Sequence, residues 1–213
     1  NNCNNIIKDV FGGGNAAAVP ATSVTIKGGT INRVFAGGNG SESAANVTGN
    51  TNALIQGGSI GEIFGGSNTE GTIGGTINVE INKADNGCDM HITELYGGGN
   101  QAASSAGNLN IVRTGGDQEG IQFVYGGANN ADVSGNITLN ITGGRITGGL
   151  FGGNNTGHTV NGDITVNVEW DDNATGANDS KYLYDVFGGG NHALTDGSTT
   201  VNITNGTVSH DVY

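Results

Sequence analysis

A six-residue motif recurs along the chain and constrains its fold more than any other feature of the sequence. Each copy reads aliphatic, aromatic, Gly or Ala, Gly, a small residue, and Asn. Seven complete copies begin at Val10, Val34, Ile63, Leu95, Val124, Leu150 and Val186, and an eighth starts at Val212. Successive aromatic positions are 24 to 36 residues apart. This variable spacing excludes a stacked-helix repeat of fixed length and favours a coil whose loops change length.

The segments between the motif copies alternate apolar and polar residues. Ile77-Asn-Val-Glu-Ile81 and Ile164-Thr-Val-Asn-Val168 show period two with β-branched residues, which predicts strands. Gly-rich turns such as Gly28-Gly29 follow these segments. We therefore predict an all-β fold, a parallel β-helix (β-solenoid) of about three short strands per coil and about seven to eight coils. The expected hand is right, because crossovers within a sheet are almost always right-handed.

The composition narrows both the fold and the partners. The 213 residues include 42 Gly and 30 Asn, two residue types that disfavour helix. Nineteen acids against seven bases give a net charge of −12, so neither nucleic acid nor an anionic membrane surface is an expected partner. No run of 18 apolar residues occurs, and no membrane insertion is expected. Residues 1–213 are interpreted as a single β-solenoid domain, a fragment of a longer repeat region without caps.

Stacked coils predict ladders, because the same residue type then recurs at the same corner of every coil. The second motif position predicts an aromatic ladder of Phe11, Phe35, Phe64, Tyr96, Tyr125, Phe151 and Phe187. The sixth predicts an amide ladder of Asn15, Asn39, Asn68, Asn100, Asn129, Asn155 and Asn191, each side chain bonding to the coils above and below. Both ladders are expected to be structural. Whether the rings face the core or the solvent stays open at this point, because sequence does not set that parity.

The repeated Val-Phe-Gly-Gly-Gly-Asn block resembles the Gly-Gly-Gly-Asn solenoid regions of very large surface proteins of gut Bacteroidetes-type bacteria. The resemblance covers the whole chain. It implies an extracellular location at the bacterial cell surface and a structural or adhesive role, as a stalk or fibre segment that displays variable loops. It carries over no catalytic motif, so no enzymatic activity is expected. The implied partners are neighbouring solenoid segments or further copies stacked end to end.

Two alternative functions remain open. A carbohydrate-binding or carbohydrate-cleaving β-helix would take host or microbial glycans as partners and would show an exposed aromatic or acidic cleft. Exposure of Phe64, Tyr96 and Tyr125 together would favour it. The other alternative is a subunit of a self-assembling extracellular filament, in which the last coil of one copy pairs with the first coil of the next.

Two insertions are the best candidates for recognition, because binding residues concentrate on long loops of a rigid scaffold. Lys83–Met90 and Glu169–Lys181 fall at the same stage of the coil and should emerge from one corner, three coils apart. The second holds the only Trp of the chain, and we predict that any glycan or Ca²⁺ site would involve Trp170, Asp171 and Asp172. No other metal and no organic cofactor is expected.

The two cysteines occupy similar phases of the repeat. Cys3 and Cys88 each lie seven residues before a motif copy, but three coils apart. Three strand spacings are about 14 Å, whereas a disulfide joins Cα atoms within about 7 Å. We therefore predict that the two do not bond unless a long loop bends back, and that each is a free thiol or pairs outside this fragment.

Overall fold

The computed structural model describes residues 3–171 and 180–213, which form an all-β parallel solenoid with three parallel sheets. The strands of this part of the chain are β1 (Ile6–Phe11), β2 (Thr22–Ile26), β3 (Thr30–Phe35), β4 (Thr51–Ile55), β5 (Gly58–Phe64), β6 (Ile77–Asn82), β7 (Met90–Tyr96), β8 (Gly107–Arg113), β9 (Gly120–Tyr125), β10 (Ile137–Ile141), β11 (Arg145–Phe151), β12 (Thr156–Val160), β13 (Ile164–Glu169), β14 (Tyr182–Phe187), β15 (His192–Thr195) and β16 (Thr199–Asn205).

Two long sheets form the main sides of the solenoid. The first sheet has the order β1-β3-β5-β7-β9-β11-β14, and the second has β2-β4-β6-β8-β10-β13-β16. Two of the seven strands in each sheet are edge strands, so about five turns have a neighbouring turn on both sides. The third side has less strand structure than predicted. Only β12 and β15 pair there among the described strands, and the other turns are joined by single β-bridges such as Val47 to Ile73.

The core lies inside the coil and follows directly from the alternation in the sequence. In β6 the side chains of Ile77, Val79 and Ile81 point inward and are fully buried, whereas Asn78 and Glu80 between them are partly exposed. The same register repeats from strand to strand, since Val79 pairs with Leu109 in β8. Each apolar side chain is thus covered by equivalent ones on the neighbouring turns.

The glycines of the motif are explained by crowding between turns. A Cβ placed on Gly97 would lie 2.1 Å from the carbonyl oxygen of Gly126, the equivalent residue of the next turn. Such a contact is far below van der Waals distance, so a side chain at Gly97 would force the turns apart. Gly is required at this corner because the site is too crowded for a Cβ.

The prediction for the cysteines was wrong: Cys3 and Cys88 form a disulfide, with their Cα atoms 5.6 Å apart. Residues 83–89, between β6 and β7, fold back over the preceding turns, and the amide of Ala84 donates to the carbonyl oxygen of Gln56 at 3.0 Å. Cys88 then lies directly over Gly28: a Cβ placed on Gly28 would be only 2.3 Å from the Sγ of Cys88. The insertion therefore spans the turns that the distance estimate had placed between the two thiols.

Candidate functional site

The aromatic ladder is continuous. Eight rings, from Phe11 to Tyr213, stack in chain order with centroids 4.7 to 5.3 Å apart and planes within 2° to 11° of parallel. Their Cα atoms are paired in register from β1 to β14, as predicted. The ladder is therefore a continuous row of stacked rings, with one ring on every strand of the first sheet.

The rings in the middle of the ladder are buried, which answers the question that the sequence left open. Phe35, Phe64 and Tyr96 have no exposed surface and Tyr125 has 4%, and these four form a cluster separate from the main core. The Tyr96 hydroxyl donates to Glu94 at 2.9 Å and accepts from the Asn155 amide at 3.1 Å. Burial raises the pKa of Tyr96 far above its usual range and that of Tyr125 to about 12. These neutral, covered rings offer no exposed strip for stacking a sugar.

The amide ladder is also continuous, and every step is a hydrogen bond from the Nδ2 of one Asn to the Oδ1 of the previous one. The six donor–acceptor distances lie between 2.8 and 3.1 Å. Only Asn68 is buried, while Asn100 and Asn129 are half-buried and Asn15 and Asn191 are exposed. The ladder ties turn to turn along the corner of the motif.

Sequence reasoning missed further amide ladders on the outer face of the second sheet. Asn202 donates to Asn167 at 2.9 Å, and Asn167 donates to Asn140 at 2.9 Å. Asn140 donates in turn to Asn110 at 2.9 Å. The signal was present, because Asn fills the outward positions of the alternating strands. These asparagines lay in segments whose apolar residues alone had been used to recognise strands.

A row of charged side chains lies beside the aromatic ladder on the first sheet. Asp9 and Arg33 form a bidentate ion pair with two contacts of 2.8 Å, and Glu62 and Glu94 follow in register on β5 and β7. Burial raises the pKa of Glu62, and the neighbouring Glu94 raises it further. Hydrogen bonds from Arg33 lower the pKa of Asp9. The pKa values of Asp9 and Glu62 are thus shifted in opposite directions.

The predicted binding loop is only partly described, since Asp172 lies outside the described residues. Trp170 is partly buried and packs against the main core, and the Asp171 amide donates to the carbonyl oxygen of Thr142 at 2.8 Å. In the chain order, each insertion falls between a second-sheet strand and a first-sheet strand, before β7 and before β14. Glycan or Ca²⁺ binding at this loop stays a prediction.

Within the described residues, one group of metal-ligating side chains comes together. His210 Nδ1 lies 2.7 Å from Asp185 Oδ1 and 3.3 Å from Asp211 Oδ2, on the surface beside β14. The hydrogen bond that His210 makes to the Asp185 carboxylate and the charge of Asp211 raise the pKa of His210. The group therefore consists of an exposed His and two acidic neighbours, and no fourth metal-ligating side chain joins it among the described residues.

A groove of about 760 Å³ crosses the outer face of the first sheet, and we call it the outer groove. It extends from β1 to β11 over the half of each strand that precedes the charged row. Its polar lining includes Lys8, Thr30, Asn32, Ser59, His91, Thr93, Gln122, Arg145 and Thr147. The outer groove was not anticipated, because its residues lie on six strands separated by up to 141 positions, from Ile6 to Thr147.

Comparison with known proteins does not place the chain in a family. No family profile matches it, and neither curated proteins nor solved structures give a significant match. In the described part of the chain, no helix is long and apolar enough to cross a membrane.

Proposed function

We propose that this chain is a rigid stalk or fibre segment of an extracellular bacterial surface protein, whose solenoid displays variable loops. The observation that carries the proposal is the run of unbroken ladders: rings, amides and backbone pairs repeat in register across seven strands of the first sheet. A structure in which every turn is tied to the next along several parallel lines resists bending. We propose no catalytic role.

The disulfide supports the extracellular location. Cys3–Cys88 joins residues 85 positions apart and is the type of bond that persists in oxidising compartments. In a reducing cytosol both thiols would be kept free. An exported protein, by contrast, would keep its first turns tied to the insertion before β7.

We further propose that the solenoid is right-handed, with one coil for each first-sheet strand and so seven to eight coils in all. Neighbouring solenoid segments are the proposed partners, because the rings at either end of the ladder can each accept another ring. They would be either further turns of the same protein or a second copy stacked end to end.

The filament alternative has an observation of its own. Apolar side chains are exposed at both outermost turns of the described chain, with Ile6 86% and Tyr213 70% exposed. Unpaired strand edges with apolar residues favour strand addition. The carbohydrate alternative loses its aromatic platform, because Phe64, Tyr96 and Tyr125 are buried together.

Two measurements test the stalk. Membrane-impermeant amine labelling of intact producing cells should modify the exposed Lys27, and labelling only after lysis would contradict the surface location. Pulling the isolated chain from its two ends should release one turn of 24 to 36 residues at a time. Before reduction, residues between Cys3 and Cys88 should not extend. Extension at negligible force would contradict a load-bearing role.

A further inference from the structure

The outer groove has the form of a linear binding site. It crosses the strands of the first sheet at right angles and touches six of them, so it spans five strand steps, or about 24 Å. Its central row is in register, with Asn32, Thr93 and Gln122 at equivalent positions of β3, β7 and β9. A ligand lying in it meets polar side chains at this position on three of the six strands, whereas β5 carries Gly61 there.

The side chains of this row have unused hydrogen-bonding capacity. Asn32, Thr93 and Gln122 are exposed, and none makes a side-chain hydrogen bond with another described residue. The contrast with the second sheet is direct, since asparagines at outward positions there bond to one another in ladders. The outer groove therefore presents two amides and a hydroxyl that make no hydrogen bond within the described part of the chain.

The charge of the outer groove opposes that of the whole chain. Lys8 lies at one end and Arg145 at the other, and these are two of only seven bases in a chain of net charge −12. Arg145 is held in place by stacking 5.2 Å above the ring of Tyr182. Glu119 also lines the groove, but its carboxylate forms an ion pair with Lys83, with Nζ and Oε1 3.3 Å apart. Glu62 and Glu94 belong to the neighbouring row and do not line the groove.

From these observations we propose that the outer groove binds an extended acidic polysaccharide, with carboxylates near Lys8 and Arg145 and ring hydroxyls on the central row. A glycan advances by about one strand spacing, roughly 4.8 Å, per sugar ring, so each ring can meet one strand. An extended peptide repeats its side chains on one face at about 6.8 Å and would lose this register. The interior strands also have no free edge to which a peptide backbone could add.

The acidic character follows from what the groove lacks. Among the described residues, no Phe, Tyr or Trp ring lines the groove, so a neutral sugar would have no flat apolar face to stack on. Charge-assisted hydrogen bonds are the stronger contacts that remain. This proposal does not depend on the stalk function, because a stalk can bear load without binding a ligand and the groove can bind a ligand without bearing load.

The test is calorimetric titration of the chain with oligogalacturonate, in parallel with uncharged dextran and with polyglutamate as a peptide of like charge. Oligogalacturonate should bind, and its affinity should fall as salt rises. Lys8→Gln with Arg145→Gln should weaken binding at least about tenfold, since each charge-assisted bond is worth about that factor or more. Lys27→Gln removes one charge outside the groove and should bind like the parent, whereas Lys8→Gln alone should bind more weakly.

A steric pair of variants separates binding in the groove from loss of charge. Thr93→Trp fills the middle of the outer groove and should abolish binding, whereas Ser23→Trp, at an exposed position of the second sheet, should leave it unchanged. Unchanged melting temperatures would show that both variants fold. The proposal is overturned if oligogalacturonate does not bind, if dextran or polyglutamate binds as tightly, or if the groove variants match their controls.

Discussion

The interior turns and the outermost turns of the solenoid carry the same residue types but differ in burial. Phe64 in β5 has no exposed surface, whereas Tyr213, at the same position of the motif, is 70% exposed. Ile81 in β6 is fully buried, while Ile203, at the equivalent position of β16, is 39% exposed. The rings of both ladder members stack on a neighbour. The comparison teaches that burial in this fold comes from the turns above and below, and not from the motif itself.

The largest expected effect comes from removing one ring of the aromatic ladder, either in an interior turn or in an outermost turn. Phe64→Ala should lower the free energy of unfolding by about 3 to 5 kcal/mol, because it leaves a cavity between two covered rings. Tyr213→Ala should lower it by less than about 1 kcal/mol, since most of that ring is already in water. Urea unfolding followed by circular dichroism measures both, and equal losses would contradict the nearest-neighbour explanation.

The disulfide makes one outer end unlike the other. Replacing Cys3 and Cys88 together by Ser should cost about 2 to 4 kcal/mol, because the 85-residue loop in the unfolded chain is no longer closed. Hydrogen exchange should then accelerate in β1 to β3 and stay the same in β15 and β16. Faster exchange at both ends would mean that the bond acts on the whole solenoid.

The amide ladder offers a smaller contrast. Asn100→Ala should cost about 1 to 3 kcal/mol, because it leaves the Oδ1 of the buried Asn68 and the Nδ2 of the half-buried Asn129 without their ladder partner. Asn191→Ala, at an exposed position with one ladder partner, should cost less than half as much. Thermal melts compare the two variants. A parent-like melt for Asn100→Ala would show that water replaces the ladder without cost.

The smallest effect concerns pH and has opposite signs at two positions of the charged row. The pKa of Asp9 is lowered by Arg33, so its ion pair stabilises the fold above the unfolded pKa, and this is lost as pH falls through the folded pKa. The pKa of Glu62 is raised, so its ionised form weakens the fold at neutral pH and the penalty disappears in acid. Both groups are partly hydrated, so each effect is below about 1 kcal/mol.

Stability measured between pH 3 and pH 7 therefore distinguishes the two carboxylates. Asp9→Asn should be less stable than the parent at pH 7 and should approach it at pH 3. Glu62→Gln should be slightly more stable than the parent at pH 7, and the gain should vanish at pH 3. Parallel profiles for the two variants would contradict the assignment of opposite shifts.

The failed prediction and the missed features have a common origin. The distance estimate for Cys3 and Cys88 assumed that each loop stays at the level of its own turn, but residues 83–89 lie across the turns before them. The ladder through Asn140 and Asn167 was overlooked because outward positions were read as solvent-facing and therefore uninformative. In a solenoid, such positions have fixed neighbours one strand spacing away.

The sequence by itself determined the parallel solenoid, the aromatic ladder and the amide ladder of the motif. One motif repeated at one phase permits few other arrangements, because identical side chains must stack when coils stack. Only the tertiary structure decided which rings are covered, which cysteines meet and where the outer groove runs. Those features depend on how loops of unequal length fold over other turns and on which side chains from distant strands share a face. Neither the loop paths nor the set of side chains on a shared face repeats periodically along the chain, so the repeat pattern of the sequence does not predict them.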